Sequence, residues 1–412
     1  METIKKLPQK GFLILLLLSL ISAFTAYKHN FKRANLNGYI QTQGEVINVI
    51  YRKVLFLDYQ DRLFYFYIPK GVRIYPGDQV EVEGLAKKSY IKVKRITIKR
   101  DFLQKIRVKI HNTLKSQFLK TAQTPFEKKL GSALLFGENW FSKKEKQKLG
   151  HTGIYPLIVI SGMHYALLFT FFLIFPVRWK LRYWLALSFF VFFTFLILFP
   201  KAPAYRAFIS FSLFLLAKIL EKQYHSLKAL LIAFSLWVLI FPYWFFNVGF
   251  WLSYLASLSL ILYYGNRKTP ESSLFENMLK TFLGLEASLV VLTVINPILA
   301  YYFHYYSFGS FLYNQIFTLL AEGFLLIGIL NMLTFWSFPP FVELQHLIAS
   351  TFEWIFSKIP ENVFIKVPYF PKEVMFLFVV TAIGLLLIVP KKWKLKVLVL
   401  LFLVEVFVFI SL

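Results

Sequence analysis

Long apolar runs, one after another, constrain this chain more than any other feature. A first run covers Gly11 to Tyr27, and further spans read at about 154–175, 182–199, 203–220, 228–246, 248–264, 282–303, 309–335, 373–390 and 395–412. About 18 or more apolar residues in a helix reach across a hydrocarbon core of roughly 30 Å. A composition of 57% hydrophobic and 17% charged residues leaves too little polar surface to cover a soluble core. The expected fold class is therefore a polytopic α-helical membrane protein. Lys5, Lys6 and Lys10 precede the first run and no small-x-small cleavage site clearly follows it, so 1–27 reads as a retained transmembrane helix with its N-terminus inside.

Residues 38–100 differ in kind. Short β-rich stretches at 39–50, 53–59, 62–68, 78–86 and 90–98 are separated by turn signals such as Pro76-Gly77-Asp78. Val46, Val80, Val82, Ile91, Val93, Ile96 and Ile98 alternate with polar residues, the period of half-buried strands. This suits a small extracytoplasmic β-barrel (OB-like) over 28–100, a small sandwich being the other architecture with that pattern. Residues 101–120 place Phe102, Ile106, Ile110, Leu114 and Phe118 four apart, which predicts an amphipathic helix on the membrane surface, within a stretch of amphipathic helices and linker over 101–150. Residues 151–412 read as the transmembrane domain.

Charge carries a second message. The net charge is +26, and basic cytoplasmic loops account for only part of it. From Lys28 to Lys128 there are 21 Lys and Arg against 8 Asp and Glu, a net +13, in the one large segment that a cytoplasmic N-terminus puts outside. The cluster Lys87, Lys88, Lys92, Lys94, Arg95, Lys99 and Arg100 reads as a strip facing the phosphates of a polyanion, or as a solvated face against anionic headgroups. With the N-terminus inside, the groups Arg178/Lys180/Arg182, Lys218/Lys222/Lys228 and Arg267/Lys268/Lys280 all fall in the cytoplasm. The group from Lys391 to Lys396 does so only if 309–335 is a re-entrant or broken hairpin, and Asn314, Gln315, Glu322, Gly323, Gly328 and Asn331 make it polar and breakable. Cysteine is absent, which excludes disulfides and thiolate metal sites.

The most specific segment runs from Gly131 to Phe169. Ser161-Gly162-Met163-His164 inside an apolar run is costly, because serine and histidine need partners in hydrocarbon and glycine loosens the helix. With Gly137-Glu138, then Gly150 or Gly153, this segment resembles the ComEC family of bacterial competence proteins. Two later patterns agree with that family in order: Pro203-Ala204-Tyr205-Arg206-Ala207, then Pro242 followed by Gly249-Phe250-Trp251-Leu252-Ser253. Ser307 with Asn314 seven residues on agrees as well. Tyr155 stands where the family usually has a histidine. Full-length members continue into a metallo-β-lactamase-like domain; the seven histidines here do not form its His-x-His-x-Asp-His cluster, so a short form lacking that nuclease is expected.

The resemblance implies import of single-stranded DNA across the cytoplasmic membrane during natural transformation. The implied partners are the strand itself, membrane lipids, a DNA-delivery protein outside, a helicase inside and a separate nuclease. No cofactor or metal is expected. Channel or DNA-binding candidates are Ser161, Gly162, His164, Arg206, Asn247, Ser253, Asn314, Lys92, Lys94 and Arg95. Each has a structural reading beside the functional one. Arg206 either holds a phosphate or pairs with headgroups or Glu286; His164 lines the path or donates to a backbone carbonyl; Asn247 and Ser253 line it or bind helices together. Glu286 and Glu322 read as partners of Arg or Lys, and Tyr301, Tyr302, Tyr305 and Tyr306 as an aromatic belt beside His304. Rival functions are a small-solute transporter or exporter, and a membrane enzyme using His164 as base and Ser161 as nucleophile, for which no orienting acid lies near in sequence.

Overall fold

The computed structural model describes residues 9–29, 32–50, 52–69, 71–174, 177–265, 285–307, 309–360 and 364–411. Lys5, Lys6, Arg267, Lys268 and Lys280 lie outside the described residues. The first apolar run is a helix, α1 (Gln9–His29), of which Gly11–Lys28 is long and apolar enough to cross a membrane. Its Ser19 hydroxyl meets the Ser235 hydroxyl at 3.0 Å, which seats α1 on the bundle.

Six strands follow: β1 (Lys32–Arg33), β2 (Leu36–Ile50), β3 (Lys53–Asp58), β4 (Arg62–Tyr67), β5 (Gln79–Lys88) and β6 (Tyr90–Lys99). They form one small sheet in the order β1-β4-β3-β2-β5-β6, and a single parallel bridge, Tyr65 to Tyr90, also joins β4 to β6. The period-2 reading holds residue by residue. Val46, Val80, Val82 and Ile91 are buried, and Val93, Ile96 and Ile98 pack against the same core with Phe56, Phe64 and Phe66. The parity survives an irregularity in β6, where Val93 pairs with Gly84 but Arg95 with Glu83, leaving Lys94 as the extra residue.

Helix α2 (Phe102–Thr121) starts at Asp101, whose carboxylate accepts the Gln104 N–H at 2.6 Å. Its inward face is Gln104, Val108, His111, Leu114 and Phe118, whereas Phe102 is 74% exposed. The expected stripe is thus rotated, and the helix is packed into the protein. Gln104 and His111 turn inward because they carry hydrogen bonds there. α3 (Pro125–Leu134) and α4 (Lys143–His151) are short and well capped, by Thr124 and by the reciprocal Ser142–Glu145 pair.

The bundle comprises α5 (Gly162–Ile174), α6 (Trp179–Phe192), α7 (Ala202–Ile219), α8 (Ser226–Ile240), α9 (Val248–Tyr264), α10 (Leu285–Phe303), α11 (Gly309–Leu333), α12 (Pro339–Lys358), α13 (Lys372–Ile388) and α14 (Lys391–Ser411). A two-stranded pairing of β7 (Tyr305–Ser307) with β8 (Phe364–Lys366) crosses between them. Besides Gly11–Lys28, windows long and apolar enough to cross a membrane are Lys180–Ile197, Ala202–Ile219, Glu286–Phe303 and Tyr313–Leu333. Gly162–Leu173, Ser226–Ile240 and Val248–Tyr264 are apolar but shorter. Two apolar cores organise the helices, one running from α2 to α9 with α11 and α12, the other uniting α9, α10, β7, α13 and α14.

The stretch 309–335 corrects one expectation: it is neither re-entrant nor broken, and α11 runs through it as one helix. Gly328 is a packing point, whereas Gly323 stands at ordinary contact distance. A Cβ on Gly328 would stand 2.6 Å from a Leu135 methyl, and one on Gly323 3.6 Å from Ile348. The Asn331 amide nitrogen is satisfied across the hairpin, donating to the Phe341 carbonyl at 3.1 Å and to Gln345 at 2.7 Å on α12, while its amide oxygen has no partner among the described residues. The aromatic belt is also only partial, since Tyr302 is 50% exposed but Tyr306 is fully buried.

Candidate functional site

The predicted span at 154–175 is broken where Ser161-Gly162 interrupts it. A 3₁₀ turn, Tyr155–Ile158, gives way to the non-helical residues 159–161, and only then does α5 begin at Gly162. His164 sits one turn in and is fully buried. Its Nδ1 accepts the Ser161 backbone N–H at 3.1 Å and lies 3.1 Å from the Ser161 hydroxyl. Because a backbone N–H can only donate, Nδ1 is the bare nitrogen and the proton is on Nε2. That Nε2–H is buried and has no acceptor among the described residues.

Arg206 on α7 lies over this break. A Cβ on Gly162 would stand 3.6 Å from both Nη1 and Nη2, ordinary contact distance, so the guanidinium lies directly against the start of α5. Nε and Nη2 donate to Ser253 Oγ on α9 at 3.2 and 3.0 Å. Arg206 is 9% exposed, and no ion pair to it occurs among the described residues; in particular Glu286, one expected partner, instead accepts from Tyr263 at 3.4 Å. The Tyr254 hydroxyl on α9 is buried and has no partner among the described residues. Three sequence-separated patterns thus converge on one point. What they present is uniformly electropositive: a guanidinium, an imidazole N–H and the positive end of a half-helix. As acid–base machinery the pair Ser161–His164 is incomplete among the described residues, since Nδ1 is held by a backbone N–H and no carboxylate there orients Nε2.

Other candidates stand elsewhere. Asn247 is exposed and caps its own helix, accepting the Gly249 N–H at 2.8 Å. Asn314 is half-buried on α11 with an unpartnered amide oxygen, and Glu322, expected to pair with a cation, has an unpartnered Oε1 among the described residues. Lys92, Lys94 and Arg95 are exposed on the outer face of β6. Lys92 stands opposite Leu85 and Arg95 opposite Glu83, while the Lys94 ammonium lies 5.8 Å from the Tyr39 ring. The basic cluster is smaller than its sequence, because Lys99 is 3.7 Å from Glu81 and Arg100 turns inward to Asp78 at 2.8 Å.

Sequence reading missed a second node, built around Gly137-Glu138. Glu138 accepts from His111 Nε2 at 2.7 Å, from Trp140 Nε1 at 2.9 Å and from Lys115 Nζ, and Lys201 Nζ donates to the Gly137 carbonyl. Burial alone would raise the Glu138 carboxyl, but the His111 hydrogen bond and the Lys115 charge outweigh it and hold it down at about 2. Burial pulls the Lys201 ammonium down to about 8, with Glu138 opposing. His111 Nδ1 reaches the Ile197 carbonyl at 2.6 Å and Arg107 the Phe195 carbonyl at 2.7 Å. Both carbonyls lie in a π-turn, Phe193–Ile197, that ends α6 and leaves backbone acceptors to satisfy. The signal available in sequence was Gln104, His111 and Lys115 at near-heptad spacing on a helix read only for its apolar residues.

A family model described as Competence protein matches residues 134–394. An uncharacterized protein of Aquifex aeolicus (strain VF5) is 28% identical over 338 residues, covering 77% of this chain and 74% of the relative. No solved structure matches the chain significantly.

Proposed function

This chain belongs to the competence protein family, and from that membership we propose that it carries single-stranded DNA across the cytoplasmic membrane during natural transformation. A role in competence and DNA uptake, in a multi-pass protein of the inner membrane, comes with the family; the single-strand step is what the chemistry of the bundle supports.

One observation carries it: the buried Arg206 has a serine hydroxyl for a hydrogen-bond partner and no ion pair among the described residues. Holding a charge out of water without a counterion costs several kcal/mol. A polyanion passing the site supplies the missing charge, one phosphodiester at a time, with His164 Nε2–H and the start of α5 as further donors. Lys201 heads the same helix, five residues and roughly 7.5 Å of rise before Arg206, and its ammonium turns to the Gly137 carbonyl beside Glu138. The helix break at 159–161 supplies polar backbone beside Arg206.

In this reading the sheet is an extracytoplasmic OB-like barrel. Support comes from the strand order β4-β3-β2-β5-β6 and the bridge that brings β6 back to β4. Lys92, Lys94 and, less strongly, Arg95 receive the strand from a DNA-delivery protein, and a helicase inside and a separate nuclease complete the path. The test is transformation in a deletion strain carrying Arg206→Gln or Arg206→Lys at unchanged protein abundance. Arg206→Gln should lower transformants about a hundredfold and Arg206→Lys about tenfold, since lysine keeps the charge but loses the fork. Wild-type transformation by Arg206→Gln overturns the reading. Reconstituted wild-type protein that passes small solutes but not labelled single strands points to a solute transporter instead.

A further inference from the structure

The second helical core holds a polar group that neither the sheet nor the Arg206 site uses. Glu405 on α14 is fully buried; its Oε2 accepts the Tyr306 hydroxyl at 3.1 Å, and its Oε1 has no partner among the described residues. Asn296 on α10 is also fully buried and its side chain lies beside the same Tyr306 hydroxyl, with neither its amide oxygen nor its amide nitrogen hydrogen-bonded among the described residues. The rings of Phe402 and Phe409 flank Tyr306 at 6.0 and 5.4 Å, so the surroundings are apolar.

Charged groups on the packed elements stand away from this cluster. On α14, Lys396 is nine residues back, roughly 13 Å along the axis, and Lys394 is committed to the Leu262 carbonyl at 2.7 Å. On α10, Glu286 is ten residues before Asn296, roughly 15 Å, and is held by Tyr263 of α9. His304 and Lys366, at the β7–β8 pairing, are exposed, as are Lys372 and Glu373 at the head of α13. Three elements therefore bring together more hydrogen-bonding capacity than they satisfy, in an apolar helical core and with no cation beside it among the described residues. A bare carboxylate there is far costlier than a carboxylic acid, and an ionisable group kept at such a depth is kept for use.

We propose that Glu405, with Tyr306 and Asn296, is a proton-binding site inside the membrane, through which the protein exchanges protons with water while it transports. The coupling to transport rests on the reading above; the proton site itself does not. The step balances simply. An O–H bond forms at Glu405 with a proton taken from water on one side and breaks as that proton returns to water on the other, and no electron moves. The Tyr306 hydroxyl holds the carboxyl through both states, and the neighbouring Asn296 amide offers the Tyr306 hydroxyl a second partner.

The experiment uses full-length protein in liposomes without DNA, so its failure is distinguishable from failure of the transport reading. Infrared difference spectra on moving from H₂O to D₂O should contain a carboxylic-acid carbonyl band that shifts within minutes. The band should be lost in Glu405→Gln and displaced in Tyr306→Phe, a variant that keeps the ring. Proton influx into dye-loaded vesicles under an imposed gradient should fall at least tenfold in Glu405→Gln. A missing band in wild type, a band that does not exchange over hours, a band or flux that responds to sodium rather than pH, or unchanged flux in Glu405→Gln each overturns the proposal. Tyr306→Phe guards against a fold defect: native thermal stability with a displaced band supports the site, and native stability with an unmoved band overturns it.

Discussion

At the residue scale, the two nodes beside the helix break work in opposite ways. Arg206 is a charge without a counter-charge among the described residues, and Glu138 is a carboxylate with three donors around it. Glu138 therefore stabilises the folded chain in proportion to how far it is held below its ordinary value. With a folded value of about 2 against 4.5, the stabilisation is fully present above pH 4.5 and is lost as pH falls towards 2. Its size is about 3 kcal/mol at neutral pH. Glu138→Gln should lower the Tm at pH 7 and flatten the acid limb between pH 4.5 and 2, as read by thermal unfolding in detergent across that range; an unchanged acid limb removes the ion-pair account. Ser161→Ala separates the rival chemistries at the other node. It leaves the backbone N–H that holds His164, so a channel keeps most of its transformation activity, whereas a serine-nucleophile enzyme loses everything.

At the element scale, what was legible in the sequence followed from periodicity, and what was not followed from partners. The strands of the sheet read to within a few residues because alternation is local, and Ser161-Gly162 read as a break because polar residues in hydrocarbon must be explained. Which face of α2 turns inward was not legible. Gln104 and His111 are polar, and only the acceptors supplied by Asp78, Ile197 and Glu138 bury them. The continuity of α11 was hidden for the same reason, since Gly328 is a break point or a packing point depending on whether Leu135 lies against it. Close approach gives a test at the α2–α3 crossing, where a Cβ on Gly131 would stand 2.1 Å from the buried Phe118 ring. Gly131→Ala should cost about 1–3 kcal/mol, seen as a lower Tm, and a silent substitution there would mean the two helices are not locked. On the sheet, Lys92→Ala and Lys94→Ala should each reduce the salt dependence of single-strand binding by about 0.7 in logarithmic slope. Arg95→Ala should change it less, because Glu83 stands opposite.

At the scale of the whole molecule, the sheet and the bundle are joined by a continuous chain of hydrogen bonds rather than by a linker. Asp78, fully buried in the turn before β5, accepts from Arg100 at 2.8 Å and from Gln104 at 3.0 Å. The Gln104 amide oxygen accepts from Arg107, and Arg107 reaches the Phe195 carbonyl in the π-turn. Beside this chain the Tyr75 ring stacks on Phe199 at 5.0 Å and its hydroxyl donates to Asn112 at 2.9 Å. The π-turn is followed within a few residues by Lys201 and then Arg206, so a strand held on the sheet and a phosphate held in the bundle share one rigid frame. If that frame aligns the two, cutting it should spare binding and spoil passage. Arg107→Ala with Gln104→Leu should leave single-strand affinity and its salt slope as in wild type, speed hydrogen exchange across 193–201, and lower transformation at least tenfold at equal protein abundance. Equal losses of binding and transformation would instead make the joint a folding element of the sheet. Faster exchange with undiminished transformation would mean that the strand crosses without needing the two surfaces in register.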